Sequence, residues 1–153
     1  MTKFTGGITM SVQVENSWEI ERPVEKVFQF MAVDHVQNHP RWDPDIELWH
    51  TSDEPIGVGT IIGRRSTRNG KSVEGTVEVT RFEPNKVMAV VIREGGMEVL
   101  GETSFEASGD HSTKITTIVE LPGMDEAMDT SALAKALQRS AENQKSLMLE
   151  EVS

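Results

Sequence analysis

The chain has 153 residues, 15 basic against 25 acidic side chains, a formal charge of −10, and neither Cys nor Tyr. A chain of this length buries about 70% of its unfolded surface, so one domain with its own core is predicted, without disulfides or Cys-bound zinc. An acidic surface repels phosphate backbones and anionic lipids, which argues against nucleic acid or a membrane as the main partner.

The ends of the chain give two further expectations. No run of 18 apolar residues and no charged-then-apolar leader is present, so a soluble, cytoplasmic protein without membrane insertion is predicted. The opening segment MTKFTGGITM lacks periodicity and contains a Gly pair. We expect residues 1–10 to be a flexible extension and residues 11–153 to form a single domain.

A strand is the first regular element. From Ser11, apolar residues from Val12 to Ile20 alternate with Gln and Glu, although Asn16 falls on the apolar face. A helical stretch from Arg22 to Trp42 follows, because Pro23 suits a first helical position and apolar residues recur at helical spacing after it. Pro40 predicts that any helix ends near Asn38 or His39.

Five or six further strands are predicted between about Ile46 and Leu121, and three turns set their register. Asn69-Gly70 and Gly95-Gly96 are taken as two-residue turns and Gly109 to His111 as a three-residue turn. Residues opposed across an antiparallel pair point to the same face. The opposed charges are then Arg65 with Glu74, Arg93 with Glu98, and Glu106 with Lys114. These pairs are predicted to face solvent.

The opposite face of these strands is predicted to point inward. It is mostly apolar, but it includes small and polar residues that are unusual in a packed core: Arg64, Ser66, Gly75, Gly101, Thr103 and Thr117. Small residues leave space and hydroxyls need partners, so the inner face is interpreted as part core and part cavity lining.

A long helix is predicted over most of Glu126–Glu151. One stripe of it carries large residues near the ends and small or polar ones between: Leu133, Ala136, Leu137, Ser140, Gln144, Leu147 and Met148. The small central residues predict a cavity between helix and sheet. An ordinary amphipathic helix with a close-packed contact remains the alternative.

Three segments resemble the START-like (SRPBCC) superfamily, in its polyketide cyclase/dehydrase-like branch. They are RPVEKVFQFMAVDHVQNHPRWDPDIE, which has a Trp before the second strand, then PIGVGT, then VTRFEPNKVMAVVI. The resemblance covers nearly all of Ser11 to Glu150 and rests on the order and spacing of these segments. It implies an α+β helix-grip fold: a seven-stranded antiparallel sheet wrapped around a long C-terminal helix, two short helices between strands 1 and 2, and a hydrophobic cavity. Members include lipid and hormone carriers, cyclases and hydratases, so activity stays open.

Several polar residues are candidates for the site. Arg64 is predicted to point inward, where a guanidinium must pair with a carboxylate, reach the cavity mouth or meet an anionic or carbonyl group of a ligand. A shift of one residue in register would instead leave it outside. His50 is a candidate acid or base, against the favoured alternative of a solvent-exposed strand end. Trp42 either lines the cavity mouth or anchors two elements.

His35 and His39 are four residues apart, a spacing that allows two imidazoles to share a metal with Asp34 or Asp43. Surface or capping histidines are the favoured interpretation, because no HExxH pattern is present. No metal, nucleotide or other cofactor is therefore predicted.

The leading hypothesis is a carrier or sensor-type module that holds a small apolar or aromatic molecule between sheet and last helix. The ligand-binding residues predicted are Trp42, Arg64, Met88, Thr103, Phe105, Thr117, Ser140 and Gln144. The first alternative is a cofactor-independent cyclase or dehydratase, a lyase or isomerase, acting on a polyketide-like or aromatic substrate, in which Arg64 polarises a carbonyl and His50 moves a proton. The second is a protein-interaction module using the acidic outer face. A homodimer is retained as a candidate assembly.

Overall fold

The structure, a computed structural model, describes residues 11–123 and 130–153. The predicted extension 1–10 and residues 126–129 of the predicted last helix lie outside the described residues. The elements are β1 (Ser11–Ile20), α1 (Val24–Phe28), a π-helical turn (Gln29–Val33), α2 (His35–Trp42), β2 (Ile46–His50), β3 (Ile61–Arg68), β4 (Lys71–Glu83), β5 (Val87–Glu94), β6 (Met97–Gly109), β7 (Ser112–Pro122) and α3 (Ser131–Glu151).

The strands form one seven-stranded antiparallel sheet in the order β1-β7-β6-β5-β4-β3-β2. Two short helices separate β1 from β2, and the long α3 closes the described chain. The predicted helix-grip architecture is therefore confirmed. Of the described helices, none combines the length and the apolar character needed to cross a membrane.

The hairpin registers are also as predicted. Arg65 opposes Glu74 and Arg64 opposes Gly75 across the Asn69-Gly70 turn. Arg93 opposes Glu98 across Gly95-Gly96. Asn69 and Gly70 have φ values of 52° and 77°, the left-handed conformation that this turn requires.

The third turn differs from the predicted one. Gly109 pairs with Ser112, so the turn has two residues, and the register shifts between Ala107 and Gly109. The bulge places one extra residue on β6, which restores the predicted pairing of Glu106 with Lys114 upstream.

The prediction that Pro40 ends the helix is wrong. The helix α2 continues through Pro40 to Trp42, and the Asp43 N–H donates to the His39 carbonyl at 3.0 Å. An interior proline costs about 3 kcal/mol because it removes a hydrogen bond and crowds the preceding turn. Burial of Trp42, which is 4% exposed and packs on Phe30, offsets this cost.

The core lies at one end of the grip. It joins Ile20, the α1–α2 segment, one part of the inner sheet and the C-terminal end of α3, and its members include Val27, Phe28, Val79, Phe105, Ile115 and Met148. Arg22 ties this end together, because its guanidinium donates to the carbonyls of Val152 and Leu149 at 2.5 and 3.0 Å. Arg41 of α2 forms a two-point ion pair with Glu151.

The inward stripe of α3 is close to the predicted one. Met148 is fully buried, and Leu133, Leu137, Ser140, Gln144 and Leu147 are partly exposed. Ala136 is exposed, however, and Ala141 is buried in its place. With 3.6 residues per turn, Ala141 lies about 20° around the helix from the buried Met148, whereas Ala136 lies about 120° from it.

Candidate ligand-binding site between the sheet and the last helix

The middle of the inner sheet face is less tightly packed than the end that holds the core. On the inner sheet face, Val90, Gly101, Thr103, Thr117 and Val119 all retain solvent exposure. Their neighbours in the core do not: Val79 is 0% and Phe105 5% exposed. In the part of α3 from Leu133 to Gln144, Leu133, Leu137, Ser140 and Gln144 are also partly exposed, although Ala141 is buried. The inner sheet face and this part of the helix are thus both partly accessible.

Gly101 shows the spare room directly. A Cβ added at this position would lie 3.5 Å from its nearest neighbour, Cγ2 of Val90, which is an ordinary van der Waals contact. A methyl group would therefore fit at this position without displacing a neighbour.

Hydroxyl and amide groups line this space in two separate pairs. Thr103 and Thr117 are directly opposed on β6 and β7, and their Oγ1 atoms are 3.2 Å apart. On α3, the Gln144 amide donates to Ser140 Oγ at 3.3 Å. Each pair is satisfied within its own layer, and neither bonds to the other. Either pair can therefore turn to a ligand without breaking a bond between helix and sheet.

A row of inner-face residues crosses five strands, four residues away from Val90 on β5 and from Gly101 on β6. Leu48, Arg64, Gly75, Glu94 and Met97 are successive neighbours on β2 to β6. Arg64 is 8% exposed, so the predicted inward orientation is confirmed. Arg65 instead faces outward, where it pairs with Glu47 and Glu74 at 3.1 and 2.8 Å.

Arg64 is paired with an internal carboxylate, the first of the three fates predicted for it. Its Nε donates to Glu94 Oε2 at 3.1 Å, and Ser66 Oγ donates to Glu94 Oε1 at 2.8 Å. Strands β3 and β5 are not neighbours, so the bridge must pass over Gly75 of β4. A side chain at Gly75 would overlap Glu94 and the Arg93 carbonyl.

The two Nη groups of Arg64 make no hydrogen bond to any described residue. Within the same part of the chain, every fully buried side-chain nitrogen or oxygen has a partner. The Nη groups must therefore be in contact with accessible space, and they are donors available to a ligand.

A chain of hydrogen bonds involves the two histidines of α2. His35 Nδ1 lies 3.0 Å from the Met31 carbonyl, His35 Nε2 lies 3.1 Å from His39 Nδ1, and His39 Nε2 lies 3.0 Å from Asp43 Oδ2. A carbonyl only accepts, so His35 carries its proton on Nδ1 and accepts from His39.

Desolvation of the half-buried ring, together with the nearby His39 and Arg64, lowers the pKa of His35 from 6.5 to about 3, against the opposing Met31 hydrogen bond. His35 is therefore neutral at physiological pH, in agreement with its hydrogen bonds. Asn38 has a similar role to His35: its side-chain amide donates to the Phe30 carbonyl at 2.9 Å. The two side chains satisfy carbonyls of the π-helical turn, whose backbone bonding is irregular.

We expect the purified protein to carry no stoichiometric zinc, because all four ring nitrogens of His35 and His39 are engaged with protein atoms. No cluster of three metal-ligating side chains occurs in residues 11–123 and 130–153. Elemental analysis of the purified protein checks this expectation. Stoichiometric zinc that disappears in a His35→Ala/His39→Ala variant would contradict it.

The other predicted site residues divide into three groups: core residues, an exposed strand end, and residues at the accessible space. Met88 and Phe105 are 6% and 5% exposed and belong to the core, where Phe105 packs edge-on against Phe28 at 5.1 Å. Trp42 also lies in the core and stacks on His39 at 5.3 Å, as expected for an anchor between elements. His50 is exposed at the end of β2. Thr103, Thr117, Ser140 and Gln144 face the accessible space.

Glu94 is the site residue that was not anticipated from the sequence. It comes directly before the Gly95-Gly96 turn and resembles the other acidic residues of the hairpin ends. The strand registers could have identified Glu94. Gly75 on β4 is directly opposed to Arg64 on β3 and to Glu94 on β5, so no side chain stands between the two charged residues.

An open depression of about 360 Å³ at the β5–β6 turn shares Glu94 and Met97 with the Arg64 row. Its other lining residues are the backbone of a tight turn and the charged side chains of Glu74, Arg93 and Glu98. These charges suit solvent better than an apolar ligand.

Residues 11–148 match the family described as polyketide cyclase / dehydrase and lipid transport. The chain belongs to this family. The match includes every strand of the sheet and nearly all of α3. The START-like resemblance stated from the sequence is thereby confirmed, and the family contains both enzymes and lipid carriers by its own description.

Solved structures give the same fold. Ara h 8.0201 is 17% identical with a TM-score of 0.72, and the match covers 92% of this chain and 99% of that one. The major latex-like protein 151 from Panax ginseng is 11% identical with a TM-score of 0.72 and the same coverage. Norcoclaurine synthase from Thalictrum flavum, solved with dopamine and hydroxybenzaldehyde, is 18% identical with a TM-score of 0.63 over 100% and 98% of the two chains.

These likenesses establish the fold alone, because the identities are low. No curated protein sequence matches the chain.

Proposed function

We propose that this protein binds a small apolar or aromatic molecule between the inner face of its sheet and α3, as a carrier or sensor. The observation that carries the proposal is the incomplete burial of inner-face residues of the sheet and of inward residues of α3, namely Val90, Gly101, Thr103, Thr117 and Val119 on the sheet and Leu133, Leu137, Ser140 and Gln144 on the helix. Partly apolar walls with a few hydroxyls and one buried cation are typical of small-molecule sites.

A filling substitution tests this proposal. Ser140→Phe places a ring on the inward side of α3, where it should occupy the ligand space and weaken binding of the neutral dye Nile red by about tenfold or more, a loss of at least about 1.4 kcal/mol. Ala136→Phe is the matched control, because it adds the same ring one turn away on an exposed position of the same helix. Fluorescence titration measures both dissociation constants.

The proposal fails if Nile red does not bind the wild-type protein. It also fails if Ser140→Phe and Ala136→Phe bind the dye equally well while both remain folded by circular dichroism. A second filling variant from the sheet, Gly101→Leu, separates loss of the space from damage to the helix, since the backbone at Gly101 accepts a Cβ.

One observation favours the enzyme alternative. Arg64 has free Nη donors beside the carboxylate of Glu94, so it can polarise a carbonyl while Glu94 removes a proton from the adjacent carbon. Glu94 is in contact with Arg64, whereas His50 lies at the exposed end of β2, so Glu94 replaces His50 as the candidate base. Deuterium exchange into the methyl group of 2-acetylnaphthalene in D₂O distinguishes the two functions, because a carrier does not accelerate it.

A further inference from the structure

We infer that the ligand's polar end is a neutral hydrogen-bond acceptor, such as a ketone or aromatic carbonyl oxygen, which Arg64 binds while Glu94 discriminates against carboxylates. This inference rests on the proposed function and narrows its ligand class.

The donors come from Arg64. Its Nε is occupied by Glu94, and its Nη groups have no partner among the described residues yet remain in contact with accessible space. The side chain is 10% exposed, so it is largely removed from water. An acceptor oxygen at this position would receive a charge-assisted hydrogen bond, which is stronger than a bond between neutral groups.

The net charge that a ligand would meet here depends on Glu94 and His35 as well as on Arg64. Glu94 neutralises Arg64, and His35 is neutral. A carboxylate at the Nη groups would leave two negative charges on one guanidinium and a net charge of −1 in a poorly hydrated place. A neutral carbonyl leaves the net charge at zero, so it receives the same donors without this cost.

Glu94 is held beside Arg64, where its charge can repel a carboxylate ligand. Ser66 Oγ donates to its second oxygen at 2.8 Å, and the missing side chain of Gly75 lets the Arg64–Glu94 bridge cross β4. Both carboxylate oxygens are thus engaged, and Glu94 cannot swing away to make room for an anion without losing two hydrogen bonds.

Three ligands of one ring system test the inference: naphthalene, 2-acetylnaphthalene and 2-naphthoate. In the wild-type protein at pH 7 we expect 2-acetylnaphthalene to bind about tenfold more tightly than either of the other two. Glu94→Gln keeps the shape of the residue and removes its charge. It should tighten 2-naphthoate by about tenfold and remove the preference for the ketone over the carboxylate, with naphthalene unchanged. Displacement of Nile red measures all dissociation constants.

Two further variants complete the test. Arg65→Ala changes the adjacent arginine, which faces outward, and should leave all three ligands unaffected. Arg64→Gln/Glu94→Gln removes both charges together, so neither is left alone in the interior, and it should abolish the preference for the ketone over naphthalene.

The inference is overturned if the wild-type protein binds 2-naphthoate more tightly than 2-acetylnaphthalene, or if Glu94→Gln leaves their ratio unchanged. It is equally overturned if the double variant retains the ketone preference. All these outcomes leave the apolar site intact, because naphthalene still binds. If naphthalene itself does not bind, the proposed function is refuted and this inference with it.

Discussion

Replacing Gly75 with alanine is expected to lower the free energy of unfolding by about 3 kcal/mol or more, the upper part of the range for an overfilled interior. The new Cβ would overlap the carbonyl oxygen of Arg93 and the Cα and Cβ of Glu94, so β4 and β5 would have to separate. The same methyl group obstructs the Arg64–Glu94 bridge. Urea denaturation followed by tryptophan fluorescence measures the change.

Gly63→Ala is the matched control. Its Cβ would also overlap a neighbour, but that neighbour is the indole of Trp49, a side chain that is 38% exposed and free to move outward. We expect a loss of about 1 kcal/mol or less. If Gly63→Ala proves the more damaging of the two, or if Gly75→Ala is within 1 kcal/mol of the wild-type protein, the close approach of β4 to β5 at Gly75 is wrong.

Stability is expected to fall with acid below about pH 6.5 because of His35. The unfolded chain takes up a proton near the ordinary pKa of 6.5, whereas the folded state resists it until about pH 3. The contribution is therefore complete above pH 6.5 and is lost as the pH falls from 6.5 towards 3. The free energy of unfolding should decrease by up to about 1.4 kcal/mol per pH unit in this window.

Comparison with His35→Asn isolates this effect from the titration of carboxylates. Asparagine keeps a donor for the Met31 carbonyl but does not titrate, so the stability difference between the two proteins should shrink by about 2 to 3 kcal/mol between pH 7 and pH 4.5. His111→Asn, at an exposed turn, should run parallel to the wild-type protein. Ring resonances of His35 that titrate near pH 6.5 in an NMR titration would contradict the prediction.

Much of the fold follows from local patterns. Alternation identified β1, and the Asn69-Gly70 and Gly95-Gly96 turns set the registers of two hairpins. Because side chains on a strand alternate faces, a correct turn was enough to place Arg64 inside and Arg65 outside. Two predictions from local patterns were wrong. Pro40 does not end its helix, since burial of Trp42 outweighs the cost of an interior proline. The turn before β7 has two residues and not three, because β6 contains a bulge.

The candidate site was only partly predictable. Thr103, Thr117, Ser140 and Gln144 were identified because small or hydroxylated residues on an inward face indicate space. Met88 and Phe105 share that face but lie in the solid core, and no local pattern distinguishes the packed part of a face from the open part. That distinction depends on where α1, α2 and the end of α3 dock.

The sequence by itself determined the order of the elements and the registers of the β3–β4 and β5–β6 hairpins, because these depend on periodicity and turn chemistry within a few residues. Its resemblance to the START-like superfamily implied the helix-grip architecture. Only the tertiary structure decided that Arg64 is neutralised by Glu94, 30 residues away, and that His35 is held neutral by burial beside His39 and Arg64. Charge compensation depends on distances between side chains of separate elements, and these distances exist only once β3, β5 and α2 have packed together.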